Sequence, residues 1–283
     1  MKDECVKMLD PASKIAVVLV DCTTAAGALA RGHLSGPAAA GYLAQALAGV
    51  SLLGAECSQD EETVTLRLDC PGPLGGFLVE ATAAGTLRGY TKKKVLDAFD
   101  GLGTPKDTDA LGTTGTFQII RSIPGAILSS GTVAVAFGPT AAIAQGLDAF
   151  YDQSLQRRVR NAVAGTAGDD GVPVFARGVQ IECPPDGDVA AFERVADVFA
   201  SGAAQKAIAG ATFAPRTVLK KLGLPQAEIR QATPVAFACR CSADRAKDVI
   251  ASLPAEDRAA LPPTVDITCH MCGRTWTIAP TQA

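Results

Sequence analysis

The sequence predicts an α+β protein in three parts: a mixed sheet-and-helix core over 1–185, a helical linker over 186–235 and a small four-cysteine module over 236–283. Three observations carry that division. Segments with the period-two alternation of half-buried strands, bounded by Gly and Pro, recur through the first part. Apolar residues at helical spacing dominate the second, and Cys239, Cys241, Cys269 and Cys272 mark the third.

KIAVVLVD (14–21) reads as a buried strand, and the Ala-rich stretch running to His33 as a helix. A second helix is expected from Pro37 to Leu53. Pro37 suits its first turn, Leu43, Leu47 and Val50 recur at helical spacing, and Gly54 is placed to stop it in the left-handed conformation. TVTLRLD (63–69) alternates so that Val64, Leu66 and Leu68 share a face, PGPLGG (71–76) turns the chain, and GFLVEA starts the next strand. Further strands are expected at 86–90, 116–121 and 132–137, which makes this region antiparallel and hairpin-rich.

A long helix is expected over Thr140–Arg160, with Leu147, Phe150 and Tyr151 as its apolar stripe and RRVR at the end where the helix dipole favours cations. GTAGDDG (165–171) reads as a loop, VFARGVQIEC (174–183) as a strand, and PPDGD closes the core. Beyond it, Val189–Ala211 carries Phe192, Val195, Val198 and Phe199 at helical spacing, and Thr217–Leu222 forms a shorter helix ended by Gly223. With its modest apolar content and several breakers, this connector should depend on whatever it packs against.

Composition narrows the function. The 283 residues are 48% hydrophobic, which fits a folded globular chain. Uninterrupted apolar runs fall short of the ~20 residues that span a bilayer, so no membrane helix is expected. MKDECVKMLDPASK places acids within its first four residues and resembles neither a secretory signal nor a transit peptide, so the expected address is cytosolic. A net charge of −3 gives no basic field for nucleic acid. Nine cysteines, an odd number, fit a reducing compartment in which paired cysteines serve metal or redox chemistry. The scattered Cys5, Cys22, Cys57, Cys70 and Cys183 read as small hydrophobes.

The remaining four form a CxC, a gap of 27 residues and a CxxC, a thiolate quartet that can close a tetrahedral zinc site with two ligands from each pair. The module is shorter than the ~70 residues at which one core usually suffices. A structural Zn²⁺ contributes on the order of 10–16 kcal/mol of apparent binding energy, enough to decide whether such a module is folded. Between the pairs, Ser242–Asp244 offers an N-cap for a helix over Arg245–Leu253, Asp257–Leu261 adds a turn, and VDIT leads as a short strand into CHMC. Trp276 is expected to cover the site. His270 lies between two ligands, but four thiolates already fill a tetrahedron; His33 reads as structural or solvated. A disulfide within a CxC closes a small, strained and therefore oxidising ring. If both pairs became local disulfides, no thiolate would remain for zinc and the module would lose most of its folding energy.

These cysteines, with FxCxCSxxR at 237–245, PGPLGGFLVEATAAGTLRGY (71–90), ALGTTGTFQII (110–120) and VFARGVQIECPP (174–185), resemble the heat-shock-protein-33 family of redox-regulated holdase chaperones, in the family's order along nearly the whole chain. The resemblance implies a chaperone rather than an enzyme. One Zn²⁺ per reduced chain would be held by Cys239, Cys241, Cys269 and Cys272, and oxidation would give disulfides Cys239–Cys241 and Cys269–Cys272. It further implies that loss of zinc unfolds the connector, promotes a homodimer and lets the protein hold unfolding clients without ATP. Two departures stand out. Arg177 puts a charge where the family has a small residue, and the sequence ends at Ala283 without the family's C-terminal helix. Two alternatives are a zinc-ribbon nucleic-acid binder, which the acidic balance disfavours, and a thiol-disulfide oxidoreductase using CHMC, which would normally open a helix.

Overall fold

In the computed structural model, which describes residues 3–102, 105–211 and 213–280, the alternating segments pair into two large sheets and one small one. The order is β1 (Glu4–Leu9), β2 (Ala16–Asp21), α1 (Thr23–Gly32), α2 (Pro37–Gly54), β3 (Thr63–Asp69), β4 (Gly76–Thr82) and β5 (Thr86–Thr91). Then come α3 (Asp107–Ala110), β6 (Thr114–Ile123), β7 (Ala126–Ala136), α4 (Ala142–Phe150), a π-helical turn (Tyr151–Leu155), β8 (Arg158–Ala167) and β9 (Pro173–Cys183). The chain continues through α5 (Val189–Ala200), α6 (Ala203–Ala209), α7 (Pro215–Leu222), β10 (Glu228–Pro234) and β11 (Ala236–Phe237). It closes with α8 (Ala243–Ala251), α9 (Ala255–Ala259), β12 (Val265–Thr268) and β13 (Thr275–Ile278).

The strand order is β10-β1-β2-β9-β8 in one sheet and β11-β5-β4-β3-β6-β7 in the other, with β12 and β13 paired alone. Helix α2 contacts strands of both large sheets and is buried on every side. Its 18 residues have a mean hydropathy of 1.2, long and apolar enough by length and composition to cross a membrane, and 94% of that stretch is buried inside the protein. A core helix surrounded by sheet needs the same all-round apolar surface as one surrounded by lipid. Gly54 does not stop α2 as the sequence predicts. It remains helical, and a Cβ there would come 2.9 Å from the Ala81 methyl, so glycine serves close packing against β4.

The expected helix over Thr140–Arg160 ends at Phe150. After the π-helical turn, Gln156 takes a left-handed φ of 52°, and RRVR enters β8, paired antiparallel to β9. The helical spacing of the apolar residues holds only for the first half; the arginines answer to the sheet instead. Arg157 forks between Glu56, at 2.9 Å, and Glu182, at 2.6 Å, and the Tyr151 hydroxyl donates to Glu56 at 2.7 Å.

The connector also differs from expectation. Gly202, with a φ of 72°, breaks the helix expected over Val189–Ala211 into α5 and α6. Residues 228–234, placed by the sequence in a helical linker, form β10 on the outer edge of β1. An edge strand offers unpaired N–H and C=O groups, and this segment supplies them with partners. Helices α5 to α7 bury Phe192, Val195, Ile208, Val218 and Leu222 against Val17, Leu19, Val179 and Ile181 of the first sheet, forming a second core separate from the one around α2. Of the three expected parts, residues 1, 2, 103, 104, 212 and 281–283 lie outside the described residues.

Two measurements test this packing. Leu47, fully buried in α2, is expected to lose about 2–5 kcal/mol of stability on replacement by Ala, read by urea denaturation. The Asp148 carboxyl accepts from the Asn161 N–H and side-chain amide, both at 2.8 Å, yet burial pushes its pKa up to about 7. A carboxyl raised in the folded state stabilises most below its unfolded pKa and loses that contribution as pH rises through the folded value. Asp148→Asn is therefore expected to exceed the parent in stability at pH 8, with the gap narrowing toward pH 5.

Candidate metal centre

The four cysteines expected as ligands converge. All four sulfurs lie within 4.8 Å of one another. Cys239 and Cys269 are 3.8 Å apart and Cys241 and Cys272 are 3.5 Å apart, both contacts running between the two motifs. A tetrahedron with Zn–S bonds of about 2.3 Å has edges of about 3.8 Å, so the quartet fits zinc. Cys239, Cys241, Cys269 and Cys272 would hold the ion, which would screen their mutual repulsion and staple the module.

Local structure sets each pair. CHMC sits on the turn between β12 and β13, closed by the Cys269 N–H on the Arg274 carbonyl at 2.9 Å and the Gly273 N–H on the Cys269 carbonyl at 2.8 Å. It opens no helix, unlike a thioredoxin-type dithiol. Cys239 and Cys241 follow β11, and the Ser242 hydroxyl then accepts from the Arg245 N–H at 3.2 Å to start α8.

The free edge of β5 receives both pairs. The Ala236 N–H donates to the Gly85 carbonyl at 3.0 Å, the Ala238 N–H to the Leu87 carbonyl at 3.1 Å, and the Gly89 N–H to the Met271 carbonyl at 3.0 Å. The far side of this seat is the end of α1. His33, 9% exposed, donates from Nε2 to the Gly89 carbonyl at 2.9 Å, and burial followed by the Lys94 charge holds its pKa down to about 4. The imidazole is thus a neutral structural donor, one of the two roles the sequence left open. Gly273 takes a φ of 74° and lies so close to Gly32 that a Cβ would collide with the Gly32 carbonyl oxygen. His270 is not among the clustered ligands; its ring faces Tyr90 at 6.2 Å between centroids.

Electrostatics follow from the crowding. Burial raises the Cys239 thiol, but the Cys241 N–H and hydrogen bonds from the neighbouring sulfurs outweigh it and bring the pKa down to about 7. Burial, then the sulfurs of Cys241, Cys239 and Cys269, push Cys272 far up. Four thiols this close cannot all ionise without a cation. Burial disfavours the charge on Arg88, but Glu80 and the Cys239 sulfur together hold its guanidinium above the ordinary value. Arg88 donates to Glu80 at 2.7 Å, and Arg240 reaches the same carboxylate at 3.5 Å.

Two site features lay beyond sequence reasoning. Arg88 and the β5 edge fall inside the GTLRGY segment, whose pattern signals a strand but not what pairs with its open side. Trp276, expected to cover the cysteines, packs instead with Ala246, Ile250 and Ile278 in the module's own small core. It pairs across the hairpin with Ile267, so its ring belongs to the face that meets α8.

Gly273→Ala is expected to lift the CHMC turn from α1. Zinc transfer from the reduced variant to a chromophoric chelator should run about tenfold faster than from the parent, the factor given by ~1.4 kcal/mol of lost seating.

The Hsp33 protein family model matches residues 3–279. A 33 kDa chaperonin of Thermus thermophilus is 27% identical over 284 residues, covering 94% of this chain and 81% of that protein. One of Geobacillus sp. strain WCH70 is 24% identical over 281 residues, covering 98% and 94%. In fold, the chain superposes on the crystal structure of the 33 kDa chaperonin from Thermotoga maritima with a TM-score of 0.83 and 16% identity, covering 99% of this chain and 96% of that one. With its two sheets and its cysteine quartet spanned by one continuous family match, the chain belongs to the Hsp33 family.

Proposed function

We propose that this protein is a cytosolic, redox-regulated, ATP-independent chaperone that holds unfolding proteins under oxidative stress and is silent while its four cysteines bind zinc. The observation that carries this reading is the position of the quartet: one pair ends the segment that joins the two sheets, and the other lies on the same β5 edge. Supporting it are the family membership and the relatives' common name, 33 kDa chaperonin.

In this reading, oxidation forms two disulfides, Cys239–Cys241 and Cys269–Cys272. Each takes two electrons from a pair of thiolates, and one hydrogen peroxide accepts them with two protons from solvent to give two waters. Once the sulfurs are paired as disulfides they are no longer thiolate ligands, and the module loses the staple that its size requires. β11 then keeps only its two-residue pairing with β5. At elevated temperature β10 and α5 to α7 follow, exposing the apolar side of Phe192, Val195, Ile208 and Leu222 to unfolding clients and to a second oxidised copy. Clients are recognised by exposed apolar surface; neither nucleic acid nor membrane takes part.

The test is client aggregation measured by light scattering. The reduced, zinc-loaded protein is expected to leave a thermally denatured client unprotected, and peroxide at elevated temperature to release one zinc per chain and suppress aggregation. Cys239→Ser with Cys241→Ser should remove the redox dependence, while Cys183→Ser should retain it. Equal suppression before and after oxidation of the parent would refute the switch.

A further inference from the structure

Arg177 occupies a built site. It lies on β9 opposite Asp21 of β2, and its Nε donates to the Asp21 carboxylate at 3.2 Å. From there Nη1 crosses to the connector and donates to two carbonyls at the end of α6, Ile208 at 3.1 Å and Gly210 at 2.9 Å. The guanidinium carbon lies 4.7 Å from the centre of the Phe213 ring and 5.4 Å from that of Phe175. Asp21 is only 4% exposed, and its other oxygen is fixed by the Thr23 N–H at 3.0 Å, so the carboxylate that aims Arg177 is itself held.

The last carbonyls of a helix have no partner within it and carry its negative dipole end. A planar guanidinium can bind them while keeping a carboxylate and stacking on an aromatic face, which an ammonium cannot do at once. An alanine at this position could make none of these bonds. A few bonds of this kind matter more for α6 and α7 than for the core, because these short helices are held otherwise mainly by apolar contact and by Gln205 donating to the Val163 carbonyl at 3.1 Å.

We propose that Arg177 is a latch, a positioning residue that ties the connector helices to the first sheet and raises the threshold at which they come free. The consequence for activation rests on the chaperone reading above; the latch itself does not. In this chain, loss of the zinc staple is then not sufficient for full release, since α6 remains tied to β9 until the guanidinium lets go. The protein should need more heat, or longer oxidation, than a version with a small residue at this position.

Hydrogen exchange by mass spectrometry on the reduced, zinc-loaded full chain tests this. In Arg177→Ala, peptides covering 203–222 are expected to exchange about tenfold faster than in the parent, equivalent to ~1.4 kcal/mol of local opening. Peptides from α2 and β8 and the zinc content should not change. Arg177→Lys, which keeps a charge opposite Asp21 but cannot form the fork, should fall between the two. Unchanged exchange over 203–222, or an equal acceleration in α2, would overturn the latch. Should Arg177→Ala fail to fold because Asp21 is left unpaired, the double variant Asp21→Asn with Arg177→Met gives the same comparison without the buried charge. After peroxide, Arg177→Ala is expected to expose 203–222 at a lower temperature than the parent. A parent that opens its connector on oxidation yet fails to protect a client would dismiss the chaperone reading and leave the latch standing.

Discussion

Strand β5 ends its sheet with a row of backbone groups that must find partners, and the two cysteine motifs provide them. β11 lies alongside its first half, and the CHMC turn caps its second. Neither attachment is extensive: β11 pairs through two residues, and the turn through a single bond to Gly89. A metal ion held by the four sulfurs, gathered within 4.8 Å, would join the two attachments to each other. The edge of one sheet, the edge strand β10 of the other and the fold of the last module would thus share one chemical dependence.

That dependence explains the layering of stability. The core around α2 is closed by apolar contacts among α2, α4 and both sheets, and the cysteine quartet touches it at the edge, with Cys272 buried in it and Cys239, Cys241 and Cys269 packed against it. The connector core is thinner, built from three helices of 12, 7 and 8 residues over the outside of the first sheet. The module core is smaller still, with Ala246, Ile250 and Ile278 its buried apolar residues. Free energy of local opening follows buried contact density, so the order in which these layers yield runs from the module inward. Arg177 adds polar bonds at the middle layer.

The misreadings in the sequence share a cause. Thr140–Arg160 has helical spacing up to Tyr151, and nothing local says that RVRNAVAGTA will be drawn out along β9. QATP at the end of the connector has no strong strand signal, yet the unpaired edge of β1 makes it a strand. Gly54 looks like a helix stop because glycine often is one; here it is needed for the approach of Ala81, which belongs to a strand far along the chain. Proximity in sequence puts Trp276 over the cysteines, whereas pairing with Ile267 turns it to the other side of the hairpin.

The sequence by itself determined the hairpin-rich core, the buried helix α2 and the four cysteines as a set, because strand alternation, helical spacing and ligand spacing are local patterns that each side chain expresses within a few residues of chain. Only the tertiary structure decided what the cysteines hold. The seat on β5, the neutral His33 behind it, Arg88 beside Cys239 and the reach of Arg177 to α6 all join residues distant in sequence. Such contacts depend on which edge is left open after the sheets have paired, and that is a property of the folded whole.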